Sequence, residues 1–187
     1  MKIHGTAKGA ALSTKDFGVA FSAGGAAQTC QGESYSGDAI GVGQDYPSGE
    51  ITAAGMIPLS GNTLIGTVAS RFSLLMKLVG SVSDLEIGAK IYDPDDIGNP
   101  LISTNTINDV ASDDYNFRQF EFSADFTVTE GFYYVIYQVS GAFSNSNRIN
   151  IRMNGSAADN NTVAYYSDDW YDDYFGSDRA ISICFTW

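Results

Sequence analysis

The sequence predicts an all-β protein, an antiparallel β-sandwich of jelly-roll type with an extended N-terminal segment, and three observations carry that reading. First, three strand-like runs follow one another between Phe117 and Met153, each closed by turn residues. Phe120 and Phe122 alternate with Gln119, Glu121 and Ser123, while Ile149, Ile151 and Met153 alternate with Asn150 and Arg152, the period-two pattern of a strand with one buried and one wet face. Between them residues 132–139 read FYYVIYQV, nearly all apolar and rich in aromatic and β-branched types, which suits a strand covered on both faces. Second, charged residues make up 17 %, aromatics 13 %, and 20 glycines sit among many Ser, Thr, Asn and Asp, the balance of a protein whose turns are built from short polar residues. Third, no window repeats apolar residues at helical spacing between caps, and the Ala-rich patches near Ala10 and Ala26 are broken by Gly and Ser.

Taken in order, residues 1–60 are dominated by Gly, Ala, Ser and Thr. They read as peripheral strands and loops over one sheet edge, or as an arm that adds a strand to a neighbouring subunit. In the second reading Val19 and Phe21, alternating with Gly18 and Ala20, form the donated strand. Residues 61–187 read as the sandwich domain. Residues 64–81 hold one or two strands ending at Gly80, and Leu85, Ile87, Ala89 and Ile91 line one face of the next. Asp93 to Pro100 make a long turn, because Pro removes a donor and Asp, Asn and Gly accept unusual backbone angles. A short strand at 101–104 and a polar loop at 105–116 lead into the Phe117 run. After Met153 a loop, a strand TVAYYS, an acidic-aromatic loop and a last strand RAISICFTW, with Ile181, Ile183 and Phe185 inward, close the chain.

At 187 residues the chain fits one domain with a sizeable core. A net charge of −12 without any basic run argues against a phosphate backbone or an anionic membrane as partner. No apolar run approaches the roughly 20 residues that span a bilayer. The first residues, MKIHGTAKGAALSTKDFG, lack the apolar core of a secretory signal. That leaves three readings: action where the chain is made, a leader missing from it, or release by assembly or lysis. Cys30 and Cys184, 154 positions apart, pair if the N-terminal segment lies beside the last strand; two buried free thiols are the other reading.

The order of the pieces KLVGS, L-x-I-x-A-x-I-Y, GNPLIST, F-x-F-S, TEGFYYVIY and SNRINIR, closed by an aromatic-rich loop, resembles the choice-of-anchor type β-sandwich repeats of prokaryotic surface and phage structural proteins. These modules are similar in architecture to non-catalytic carbohydrate-binding jelly rolls. The resemblance covers about residues 62–187 and implies binding or structural work.

The most unusual composition lies at residues 165–178. Tyr165, Tyr166, Trp170, Tyr171 and Tyr174 stand among acids there. Aromatic faces stack on sugar C–H surfaces while carboxylates accept from hydroxyls; exposed Trp and Tyr also mark subunit contacts, and rings packed on the sandwich end are the third reading. For calcium, which takes hard oxygen ligands from loops, the candidates are Asp93, Asp95, Asp168, Asp169, Asp172 and Asp173. Asp93, Asp95 and Gly98 begin like an EF-hand loop, but Ile97 and Thr104 stand where ligands belong, which rules out that motif and leaves two readings, Asp residues that only solvate their turns or a non-EF site built from separate loops. Catalysis is poorly supported: His4 is the sole histidine, with no GxSxG elbow and no Cys partner in view.

The sequence therefore predicts a non-enzymatic structural or adhesive subunit of an extracellular or virion assembly that joins into a homo-oligomer or polymer, with N-terminal strand exchange as one way of joining if residues 1–60 form an arm. The alternative is a carbohydrate-binding module of a cell-surface protein, calcium-dependent if the Asp loops act together.

Overall fold

The computed structural model describes residues 28–31, 39–46, 49–110, 112, 114–154, 160–167, 169–171 and 180–187. Within them run fifteen strands and no helix: β1 (Gln28–Gln31), β2 (Ala39–Val42), β3 (Asp45–Tyr46), β4 (Gly49–Glu50), β5 (Ala53–Pro58), β6 (Val68–Val79), β7 (Glu86–Tyr92), β8 (Ile102–Ser103), β9 (Asn116–Thr127), β10 (Tyr133–Ser140), β11 (Arg148–Asn154), β12 (Asn161–Tyr166), β13 (Trp170–Tyr171), β14 (Ala180–Ile181) and β15 (Ile183–Thr186). They form two packed antiparallel sheets, as the sequence predicts, and β3 and β4 make a separate ribbon. One sheet has the order β13-β12-β5-β10-β7-β8. The other is built on β6, which pairs with β9 along one edge and with β15 and then β11 along the other; β1 lies outside β15, and β2 outside β11.

Alternation decides which side chains meet between the sheets. On β6 Phe72, Leu74 and Met76 point inward and are fully buried, with Arg71, Ser73 and Lys77 on the opposite face. Phe72 lies 5.6 Å from both Phe120 and Phe122, 6.2 Å from Phe185 and 6.5 Å from Tyr134 of the other sheet, distances at which aromatic pairs attract. The Tyr134 hydroxyl keeps a partner by accepting the Thr129 N–H at 2.9 Å. Burial pushes the Tyr134 pKa up to about 12 although the Thr129 bond lowers it. A raised phenol means the folded chain holds its proton more tightly than the unfolded one, so stability is full below pH 10 and falls as pH climbs towards 12. By pH 11.5 the loss attributable to Tyr134 is about 2 kcal/mol. Urea unfolding at pH 9 and 11.5 measures it, and Tyr134→Phe should flatten the slope by that amount.

Two features depart from the sequence reading. Ala53–Pro58, read as peripheral, lies inside the six-stranded sheet between β12 and β10 and is buried throughout. Its small residues are what the position requires: a Cβ on Gly55 would lie 2.7 Å from the Val135 Cα. β1, β2 and β5 thus share their sheets with the later strands, while Val19 and Phe21 fall outside the described residues. The last strand is two. β14 pairs with β11 and β15 with β6, and the chain changes partner at Ser182, whose N–H donates to the Arg152 carbonyl and whose carbonyl accepts the Leu75 N–H.

Cys30 stands directly opposite Cys184 in the β1–β15 ladder, and the two are joined as a disulfide. Next to it on β1, Gln31 enters a buried amide cluster. It exchanges hydrogen bonds with Asn62 and donates to the Thr63 hydroxyl; Asn161 donates to it and accepts the Ile181 N–H at 2.7 Å.

Candidate functional site

The outer face of the six-stranded sheet carries a second apolar layer, separate from the core between the sheets. Ala53, Ile57, Tyr133, Val135 and Ala164 are buried there with Tyr92, Tyr137 and Tyr166 packed against them. Register explains the assembly. Across the strands Trp170 pairs with Tyr166, Tyr166 with Ala53, Ala53 with Tyr137 and Tyr137 with Gly88. Two residues further along, Ala164, Gly55, Val135 and Lys90 form the next row, and beyond it Tyr133 pairs with Tyr92. Residues two apart on a strand share a face, so these rows stack into a grid of tyrosines around a floor of small residues.

The floor lets the rings lie down. A Cβ on Gly88 would sit 2.8 Å from the Tyr137 ring, so that ring lies over the bare backbone of Gly88. The Lys90 ammonium is 4.0 Å from the centroid of the same ring, within the range of a cation–π contact. Burial holds the Tyr92 pKa above the usual phenol range, and the neighbouring Tyr137 and Tyr166 add to the rise. Tyr92, Tyr137 and Tyr166 thus cover the buried outer layer with a surface of apolar rings that carry phenol hydroxyls.

Of the aromatic residues singled out from sequence, Tyr166 belongs to this grid and Trp170 holds the register position beside it. Tyr165 is a correction: it faces the core at 1 % exposure and is inaccessible to a ligand, because its neighbour Tyr166 takes the outer face and alternation sends Tyr165 inward. Tyr171 pairs with Tyr165 in the backbone ladder, and Tyr174 lies outside the described residues. The carboxylates expected to converge on calcium do not do so where they are described. Asp93 and Asp95 follow β7 near one edge of the sheet; Asp169 precedes β13 at the opposite edge and the opposite end of the strands. Asp93 instead shapes its own turn, its Oδ1 accepting the Asp95 N–H at 2.9 Å and its carbonyl the Asp96 N–H at 3.0 Å. Among the described residues no three His, Cys, Asp or Glu side chains gather as metal ligands do. Asp168, Asp172 and Asp173 lie outside them.

Tyr92, Tyr133 and Tyr137 were not singled out by sequence reasoning, yet a signal was present. A run apolar on every residue must present apolar groups to two sides, and in residues 133–137 the side opposite Tyr134 and Ile136 is Tyr133, Val135 and Tyr137. Compared with protein families, with curated proteins and with solved structures, the chain matches none.

Proposed function

We propose that this chain is a non-catalytic adhesive subunit of an extracellular or virion assembly, and that its tyrosine-paved outer face holds a glycan. The observation that carries this is the grid itself: four tyrosines from β7, β10 and β12 packed around Ala53 and Ala164, with the Tyr137 ring over the bare backbone of Gly88. Sugars have apolar C–H faces and polar rims, and such a surface answers both. The Cys30–Cys184 disulfide supports an oxidising location such as the cell exterior. Self-association is the second reading, favoured by β9. It is a twelve-residue strand bonded to β6 on one side, and on the other it makes one isolated bridge, Phe122 to Thr104, among the described residues.

Affinity electrophoresis through gels containing soluble polysaccharides, run beside size-exclusion chromatography, separates these readings. The protein should be retarded by at least one polysaccharide, and Tyr137→Ala with Tyr166→Ala should weaken retention at least tenfold while moving the melting temperature by no more than a few degrees. An oligomer that the same double variant turns into a monomer assigns the face to copy–copy contact and overturns the glycan reading. A monomer that no polysaccharide retards defeats both.

A further inference from the structure

The outer face continues past the tyrosines into a polar pocket. One outward position beyond Gly88 on β7 stands Glu86, opposite Ser140 across a bulge that leaves Val139 out of the ladder and exposed. Residues 84–86, 106–108 and Ser140 enclose an open pocket of about 340 Å³, at the small end of the roughly 300–1,000 Å³ typical of small-ligand sites. Three of its polar side chains, Glu86, Thr106 and Ser140, are already hydrogen-bonded within it. The Thr106 hydroxyl donates to Glu86 Oε1. Ser140 has one hydroxyl hydrogen and two acceptors in reach, the Asp84 carbonyl at 2.8 Å and Glu86 Oε2 at 3.4 Å. The nearer acceptor takes the hydrogen, so Oε2 keeps most of its accepting capacity, two lone pairs on a carboxylate held in place. Asp84 and Asn108, both exposed, also line the pocket, while Leu85 and Ile107 anchor its rim by packing against the core between the sheets.

We propose that this pocket seats one pyranose ring of the glycan through two adjacent hydroxyl groups. Glu86 and Asp84 accept from them, Asn108 donates and accepts, and the neighbouring Tyr137 ring offers an apolar face to the sugar that follows. Two carboxylates alone would suit an ammonium group equally well. The amide and the tyrosine grid beside the pocket favour a neutral polyol, which needs acceptors, a donor and an apolar side together. The Tyr137 ring lies over Gly88, about 7 Å along the strand from Glu86, so a ring seated in the pocket leads the chain onto the aromatic grid. The inference rests on the glycan reading of that face and gives it an end point.

Titration of ¹⁵N-labelled protein with methyl α-glucopyranoside, methyl α-mannopyranoside and methyl α-galactopyranoside tests it. At least one should shift the amide signals of Asp84, Glu86, Asn108 and Ser140. Glu86→Gln, which keeps the shape and removes the charge, and Asn108→Ala should each weaken that binding at least tenfold at unchanged melting temperature. Tyr137→Ala should leave the monosaccharide affinity within about twofold while weakening an oligosaccharide. Unchanged sugar binding in Glu86→Gln and Asn108→Ala, or signals shifted by butylamine and by none of the sugars, overturns the pocket. The tyrosine face is judged separately: polysaccharide retention equal in wild type and Glu86→Gln but lost in the tyrosine double variant leaves that reading standing while this one falls.

Discussion

Phe72→Ala should lower the unfolding free energy by about 3–5 kcal/mol, the cost of emptying a large aromatic site in a close-packed core. Phe72 is fully buried at the middle of β6, the strand on which the seven-stranded sheet is assembled. Its ring contacts Phe120 and Phe122 from β9, Phe185 from β15 and Tyr134 across the sandwich, so no single neighbour can move in without leaving another contact. Incomplete collapse is what makes such cavities costly. For a chain of this length the melting temperature should fall by about 10 °C, and Phe72→Leu should recover more than half of the loss because most of the volume returns. Urea unfolding at pH 7 of the three proteins measures both. A loss under 1 kcal/mol for Phe72→Ala would mean that the two sheets are not joined through this ring.

The same residues show what could be read in advance and what could not. Alternation in Phe120 and Phe122, in Ile149 to Met153 and in Leu85 to Ile91 reports directly which side chains enter the core, because a one-residue slip would carry every apolar side chain of the strand into water. Ala53–Pro58 misled for the converse reason: weak hydrophobicity marks a peripheral segment when read alone, yet the centre of a sheet paved with large rings needs small residues. Whether Ala-Ala-Gly is edge or floor depends on what the neighbouring strands carry, and that is known only once β10 and β12 are placed beside it. The amide cluster is a sharper case. Gln31, Asn62 and Asn161 look like turn residues in the chain, and they are 7 %, 5 % and 0 % exposed. Buried amides persist where each finds partners, and here the partners lie 31 and 130 positions away, beyond the reach of any local pattern. The tyrosine face stood between these extremes. Its residues were visible as a doubly apolar strand, but its extent needed the pairing of β5, β7, β10 and β12. The acidic-aromatic composition at 165–178 drew notice to one corner of that face, Tyr166, and away from its centre.

Replacing both cysteines, Cys30→Ala with Cys184→Ala, should cost about 5 kcal/mol. A crosslink spanning 154 positions removes that much loop entropy from the unfolded chain in the simple entropic treatment, at the top of the usual range of roughly 2–5 kcal/mol for native disulfides. The folded side of the balance points the same way. β1 is a four-residue strand held in the ladder by β15 on one side, and it brings Gln31 to the buried amides of Asn62 and Asn161. If β1 frays once the bond is gone, Asn62 loses its bonds to Gln31, and Asn161, the first residue of β12, loses its acceptor there. That strand ends in Tyr166 of the outer face. Hydrogen exchange should therefore show faster opening first in β1 and the facing part of β15, next at the start of β12, and last in β10. The Tyr137 and Tyr166 face should keep its ligand affinity within about twofold as long as the variant is folded. Melting temperatures of the oxidised protein, the reduced protein and the double variant decide the matter: the last two should agree within a few degrees and lie at least 10 °C below the first. A double variant that melts with the oxidised protein would show that the bond contributes nothing to the native state, and exchange that quickens in β10 as early as in β1 would show that the two sheets open as one unit.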